Sequence, residues 1–225
     1  MAIAYDSSAS GSGTGTSLTV ALTVSGSNRM LIVMTTTNDS LERITGVTYN
    51  GAAMTSVVAQ NNSAFSNNVY CRMWRLIAPD TGTNNIVVSA SASISMSAYG
   101  VSLTGVSQVA PEASASGVES NSTPLDFSIT TVADNAWIID GYGMNINNGS
   151  LVPNSSQTER QNIAATDNGE GSINTKGPIT PAASTNNSES YGGASPEIVG
   201  VAVSIAPATE TATVVVSNSL LLGVG

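Results

Sequence analysis

Histidine is missing from this 225-residue chain, and with it go His-centred triads, His metal sites and the usual general base near neutral pH. Cysteine occurs once, so no internal disulfide can form and no thiolate cluster can hold zinc. Its setting in the apolar run VYCRMW reads Cys71 as a small buried hydrophobe, with no imidazole to activate it as a nucleophile. Charge is also scarce, at 9% of residues against roughly 25% in ordinary soluble proteins. Lys176 is the sole lysine, and Arg29, Arg43, Arg72, Arg75 and Arg160 are scattered. With a formal net charge of −9 and no basic run, the chain would repel phosphate and anionic lipid, which argues against nucleic-acid and membrane partners. No stretch nears the roughly 20 apolar residues of a bilayer span. The opening MAIAYDSSASGSGTG has neither the positive nor the apolar region of a secretory signal, so synthesis in a cytoplasm without a signal peptide is expected.

What the chain does have is 41% hydrophobic residues, enough for a core, diluted by Ser, Thr, Asn and Gly. These short polar residues favour turns and strand surfaces over helix interiors. Apolar residues recur with period two in short runs bounded by Gly, Asn, Ser and Pro, the mark of half-buried strands. Strands are expected at Thr16–Val24, Arg29–Thr36, Ile44–Tyr49, Ala53–Gln60, Asn68–Ile77, Asn85–Ala92 and Ser95–Thr104. Further strands follow at Leu125–Val132, Ala136–Tyr142, Ile198–Ile205 and Thr211–Ser217. This spacing predicts an all-β fold, a jelly-roll-like antiparallel β-sandwich of about ten to twelve strands in a single domain over residues 16–218. Residues 1–15 read as a flexible lead-in, and Val106–Pro124 and Asn145–Ser195 as two long ordered loops. Asn50-Gly51 supplies the positive φ angles of a type I′ hairpin turn. The turn at Pro79-Asp80-Thr81-Gly82-Thr83-Asn84 links the strand bearing Trp74, read as a core anchor, to IVVSASA.

Carboxylates are the remaining route to hydrolytic chemistry, since a glycosidase needs two acids across a sugar cleft. Asp134 and Asp140 flank NAWIID, and Glu112 and Glu119 sit in the first long loop. Aromatic residues, which line such clefts, make up 4% of the chain, and Trp74 and Trp137 both fall in apolar strand patterns. Asp167-Asn168-Gly169-Glu170 offers hard oxygen ligands, yet it lacks the alternating ligand spacing of a calcium loop and reads as a turn. Gly11-Ser12-Gly13-Thr14-Gly15 has no following helix and no lysine to make a phosphate loop. Arg72 and Arg75 have opposite strand parity, so their guanidinium groups are expected on opposite faces, in structural ion pairs. No catalytic residue, metal ligand or cofactor site is read from these patterns.

The segments SNRMLIVMTTT, ITGVTYNGAAMT, MWRLIAPDTGTNNIVVSAS, YGVSLTGVSQVAPE and EIVGVAVSIAPA run in order from about residue 16 to 208. Together they resemble a family of jelly-roll-type β-sandwich domains found in phage virion proteins and in modular secreted bacterial proteins. The resemblance implies a fold and a context, and carries no catalytic residues. It implies a non-enzymatic virion structural protein of a tailed bacteriophage, a capsid decoration or other exterior head protein. The expected partners are the major capsid protein or other virion proteins, and further copies of the chain. The alternative is a carbohydrate- or receptor-binding tail fibre or surface-binding module, with a surface glycan as ligand. A surface-layer module of a bacterium, and then an enzyme, follow in order.

The ending SLLLGVG places Leu220, Leu221 and Leu222 beyond the last expected strand, as an assembly contact or as a final strand of the sandwich. Burying each leucine would contribute about 1.5–3 kcal/mol. Deleting Leu220–Gly225 is expected to leave a folded domain that no longer joins its assembly. Particle incorporation of the truncated chain checks this, and unchanged incorporation refutes it.

Overall fold

The structure, a computed structural model, describes residues 1–39, 41–62, 69–120, 124–145, 150–154, 156–163, 170–192 and 197–209. Fifteen strands and no helix occur among them: β1 (Ala4–Val24), β2 (Met30–Thr37), β3 (Ile44–Tyr49), β4 (Ala52–Ala53), β5 (Thr55–Asn61), β6 (Tyr70–Ile77), β7 (Gly82–Thr104), β8 (Ala113–Ser120), β9 (Leu125–Thr130), β10 (Ala136–Met144), β11 (Ser150–Pro153), β12 (Thr158–Ile163), β13 (Glu170–Ile179), β14 (Ser184–Gly192) and β15 (Glu197–Ile205). All pairings are antiparallel, and the fold is of the expected sandwich and jelly-roll-like class.

The first sheet runs β4-β3-β7-β2-β6-β5, with β1 also paired to β7. β4 and β5 lie at opposite ends of that path yet are joined through Met54 alone, so the sheet curls until its ends approach, almost as a barrel. The bend is made in β7. Gly15 of β1 faces Ile94, whereas Ser17 faces Ser89, so residues 90–93 of β7 stand against Thr16 alone. There β7 also exchanges its other neighbour, β3 up to Ala90 and β2 from Met96 onward. An irregular insertion of this kind bends a strand and increases its twist. The turn after β3 has Asn50 at φ 48° and Gly51 at φ 81°, the two positive angles of a type I′ turn.

A second sheet, β12-β13-β10-β15-β8, packs on the outside of the curl, and a third, β11-β14-β9, packs on the second. Three apolar layers result. Leu22, Val33, Tyr49, Trp74, Ile86 and Met96 fill the inside of the curl. Between the first and second sheets lie Ile32, Met34, Met73, Val101, Ile139, Val201 and Val203. The outer layer holds Leu125, Phe127, Ile138, Tyr142, Tyr191 and Ile198. Middle strands are consequently buried on both faces: all eight residues of β2 and all nine of β15. The polar atoms of the two large aromatics buried inside the curl find partners: Tyr49 Oη lies 3.2 Å from the Leu22 and Gly82 carbonyls, and Trp74 Nε1 donates to Thr35 Oγ1 at 3.1 Å.

Three expectations need correction. Residues 4–15, expected as a flexible lead-in, form the first half of β1 and pair with β7 residue by residue. They are held by backbone hydrogen bonds and by contacts to β12: Ser10 Oγ donates to Gln161 Oε1 at 2.8 Å, and the Arg160 guanidinium stacks 4.0 Å from the Tyr5 ring. The long loop 106–124 contains β8, and the loop 145–195 contains β11, β12, β13 and β14. Most of their buried positions carry Ser, Asn, Thr and Glu, and the few buried apolar residues, Leu151, Ile173 and Tyr191, are too sparse to give the alternation that marks a strand. The two strands expected over residues 85–104 are one bent strand, β7. The expected strand Thr211–Ser217 and the contact Leu220, Leu221 and Leu222 lie outside the described residues.

Where the second sheet meets the first, β10 turns Gly141 and Gly143 toward Met34 and Cys71. A Cβ at Gly143 would stand 2.6 Å from Cys71 Sγ and 3.0 Å from Thr36 Cγ2, so side-chain volume is excluded there. Gly143→Ala is expected to cost about 1–3 kcal/mol by overpacking. The cost should shrink in a Cys71→Ala background, read by urea denaturation of the four chains of the cycle. Equal costs in both backgrounds would show that this contact is not the constraint.

Candidate functional site

The outer layer contains a buried group of polar side chains. Along β10 the residues Ile138, Asp140, Tyr142 and Met144 share one face, by the two-residue period of a strand. On β13, Ser172 stands opposite Tyr142 and Asn174 opposite Asp140. From the third sheet, Asn187, Glu189 and Tyr191 of β14 are the buried positions of an alternating strand. Asp140, Tyr142, Ser172, Asn174, Asn187 and Glu189 are all 0% exposed.

Glu189 is gripped by neutral donors of β13: Ser172 Oγ donates to Oε1 at 2.8 Å and Asn174 Nδ2 to Oε2 at 3.2 Å. Gln157, just before β12, donates through Nε2 to Asp140 Oδ2 and accepts the Ser188 amide on Oε1 at 3.1 Å. It thus ties Asp140 to the backbone of β14. Asp140 Oδ1 and the Tyr142 hydroxyl have no hydrogen-bond partner, although the hydroxyl lies close enough to favour the charged form of Asp140. Asn174 Oδ1 and both polar atoms of Asn187 are also without partners. Lys176, opposite Ile138 on β13, attracts Asp140 from the margin but gives its Nζ to the Asn186 carbonyl at 2.6 Å.

Burial dominates the electrostatics. Loss of solvent raises the Asp140 pKa to about 6, opposed by Tyr142, its own backbone amide, Asn174 and Lys176. It raises Glu189 to about 8, with the charges of Asp140 and Glu159 adding to the rise and the bonds from Ser172 and Asn174 opposing it. Tyr142 is pushed well above its ordinary value, first by burial and then by the two carboxylates. Near neutral pH this pair therefore holds a proton. Two carboxyl groups with separated affinities are the raw material of acid–base chemistry, but here they face a closed interface between sheets.

The acids singled out in the sequence are placed apart. Glu112 clamps the β9–β10 connection, accepting the amides of Val132 at 2.8 Å and Ala133 at 3.0 Å and the Ser204 hydroxyl at 2.8 Å. Asp134 accepts the Ala182 amide at 2.7 Å, and Glu119 lies on β8 opposite Ile198. Asp140 is brought to Glu189 instead. Residues 167–169 of the acidic turn lie outside the described residues, and Gly11–Gly15 is part of β1. Cys71 is buried as expected, its thiol pushed upward by desolvation. Arg72 pairs with Glu42 at 3.3 Å and lies 5.4 Å from the Trp74 ring, the structural use expected for it. Sequence reasoning missed Glu189, Ser172 and Asn174, whose one signal is the polar two-residue alternation of NNSESY and GSINTK.

Two surface clefts accompany this cluster. One of about 400 Å³ is lined by Glu42, Ala59, Gln60, Asn61, Tyr70 and Arg72. The other, about 540 Å³, includes Ile3, Asn135, Trp137, Pro178 and Pro207. Comparison of the chain with protein-family models, curated proteins and solved structures finds no match.

Both carboxyl groups have folded-state affinities for protons above those of the unfolded chain, so the folded state binds more protons between about pH 4 and 8. Their contribution to stability is complete at the acid end and is lost as pH rises through the folded values. In EDTA-containing buffer, stability is expected to fall by a few kcal/mol between pH 5 and 9. Glu189→Gln should flatten most of that slope, measured by urea denaturation at each pH. A wild-type profile as flat as the variant's would contradict the assignment.

Proposed function

We propose that this protein is a non-enzymatic structural component of a tailed-phage virion, on the exterior of the head, working through contacts with copies of itself and with capsid protein. The observation that carries the reading is where the family-like segments fall. SNRMLIVMTTT is β2, ITGVTYNGAAMT is β3 with its turn and β4, MWRLIAPDTGTNNIVVSAS spans β6 into β7, and EIVGVAVSIAPA is β15. These strands build the two sheets that enclose the central layer, so the likeness lies in architecture. Further support comes from the surface. The end strands β4, β5, β8, β9 and β11 carry none of the positive charges that usually discourage strand-to-strand association, and β12 carries Arg160 alone.

A second reading, glycan or receptor recognition, is favoured by the cleft of Glu42, Gln60, Asn61, Tyr70 and Arg72. It combines charged and amide hydrogen-bonding groups with one aromatic ring.

Quantitative mass spectrometry of purified particles separates these readings. Many copies per particle at a fixed ratio to capsid protein are expected. A few copies would move the protein to the tail and favour recognition, to be followed by glycan-array binding. Absence from particles would overturn the virion reading.

A further inference from the structure

The interface between β10, β13 and β14 buries several polar side-chain atoms that have no hydrogen-bond partner. Each Glu189 oxygen receives one hydrogen bond and Asp140 Oδ2 receives one. Asp140 Oδ1 receives none, and Asn174 has given its amide nitrogen to Glu189 and keeps a bare Oδ1. The Tyr142 hydroxyl, without a partner in ordinary hydrogen-bond geometry, lies close enough to Asp140 and Gln157 to interact with both and feels the charge of Glu189. Asn187, two residues along β14 from Glu189 on the same face, has no bond to either polar atom. All of these side chains are 0% exposed, so bulk water cannot supply what is missing. Directly opposed residues of an antiparallel pair have Cβ atoms about 4.5–5.5 Å apart, which sets Asp140 beside Asn174 and Tyr142 beside Ser172. Glu189 enters across from the third sheet.

We infer that this face is a binding site for a hard divalent cation of the calcium type, held by the carboxylates of Asp140 and Glu189 with the side-chain oxygens of Asn174 and Tyr142. The donor set is oxygen throughout, with no imidazole or thiolate, which selects hard cations over zinc or copper. Two carboxylates match a double positive charge, and no arginine or lysine among the described residues ion-pairs with either of them. Lys176, the nearest cation, is engaged by the Asn186 carbonyl, while Glu159 adds a further negative field. With both carboxylates bidentate, these four side chains would offer six oxygens, the lower end of the six to eight ligands that calcium takes. The ion would bridge β10 and β13 to β14, replacing the proton that the pair otherwise holds and joining the second sheet to the third. The inference stands whether or not the chain belongs to a virion.

The test uses the full chain, stripped with EDTA and dialysed, at pH 8 and constant ionic strength. Thermal melting and calorimetric titration are run with calcium chloride, with magnesium and sodium chloride as comparisons. Calcium is expected to raise the melting temperature by roughly 5–10 °C at a hundredfold excess over its dissociation constant. Glu189→Gln and Asp140→Asn should each lose that rise, whereas Asp80→Asn, in the exposed turn before β7, should keep it. Glu189→Gln retains the shape of the side chain and removes a buried charge. It should therefore melt no lower than the wild type in cation-free buffer, which separates lost binding from misfolding even if Asp140→Asn does not fold. A wild-type melt unmoved by any of the three cations, with Glu189→Gln simply more stable, would show a cluster satisfied by protons and overturn the proposal. A calcium response that survives in Glu189→Gln would overturn it as well.

Discussion

Removal of water from both faces of the same strands is the constraint on which the rest of the structure depends. β2, β10 and β15 lie between layers, so neither set of alternating side chains can point to solvent. A strand in that position has two demands to meet. Its side chains must be apolar or fully hydrogen-bonded, and their sizes must suit the separation of the sheets on either side. β2 and β15 meet them chiefly with Ile, Val, Leu, Met and Ala, although the hydroxyls of Thr36 and Thr37 on β2 have no hydrogen-bond partner. β10 meets them by alternating Ile139, Gly141 and Gly143 toward the curled sheet with Ile138, Asp140 and Tyr142 toward the outer one. Small residues let Met34 and Cys71 approach the β10 backbone, and this close approach locks the second sheet onto the first.

The two interfaces of the second sheet differ in kind. Its inner face is joined by dispersion and dehydration of aliphatic side chains, which are non-directional and tolerate small shifts. Its outer face is divided. One part is apolar, with Phe127 and Tyr142 rings 5.9 Å apart and Leu125, Tyr191 and Ile198 around them. The other is the carboxylate cluster, where each contact has a direction and a protonation state. Attachment of the third sheet is therefore tied to protonation in a way that the aliphatic inner layers are not, because low dielectric magnifies the cost of any unmatched charge.

Polar strands complete the fold by a different route. The first half of β1 has few apolar side chains, and its order derives from a continuous ladder with β7 and from Ser, Gln, Tyr and Arg contacts to β12. Such strands contribute little hydrophobic energy themselves but cover the edges of sheets that have it.

Strand class, the Asn50-Gly51 turn, the burial of Cys71 and Trp74, and the limits of β2, β3 and β15 within a residue or two were legible in the order of the residues, because each is set by local chemistry: side-chain period, positive φ at a turn, or apolar character. β1 before Thr16 and β11 to β14 were not legible. Their inward side chains are mostly polar, and a polar residue reads as exposed until the sheet that covers it is known. The same reason hid the candidate site. Asp140 was visible as an acid beside an apolar run, but nothing in its neighbourhood along the chain points to Glu189, 49 positions later. Only the stacking of the third sheet on the second brings them together, and only burial, a property of the whole fold, changes their affinity for a proton.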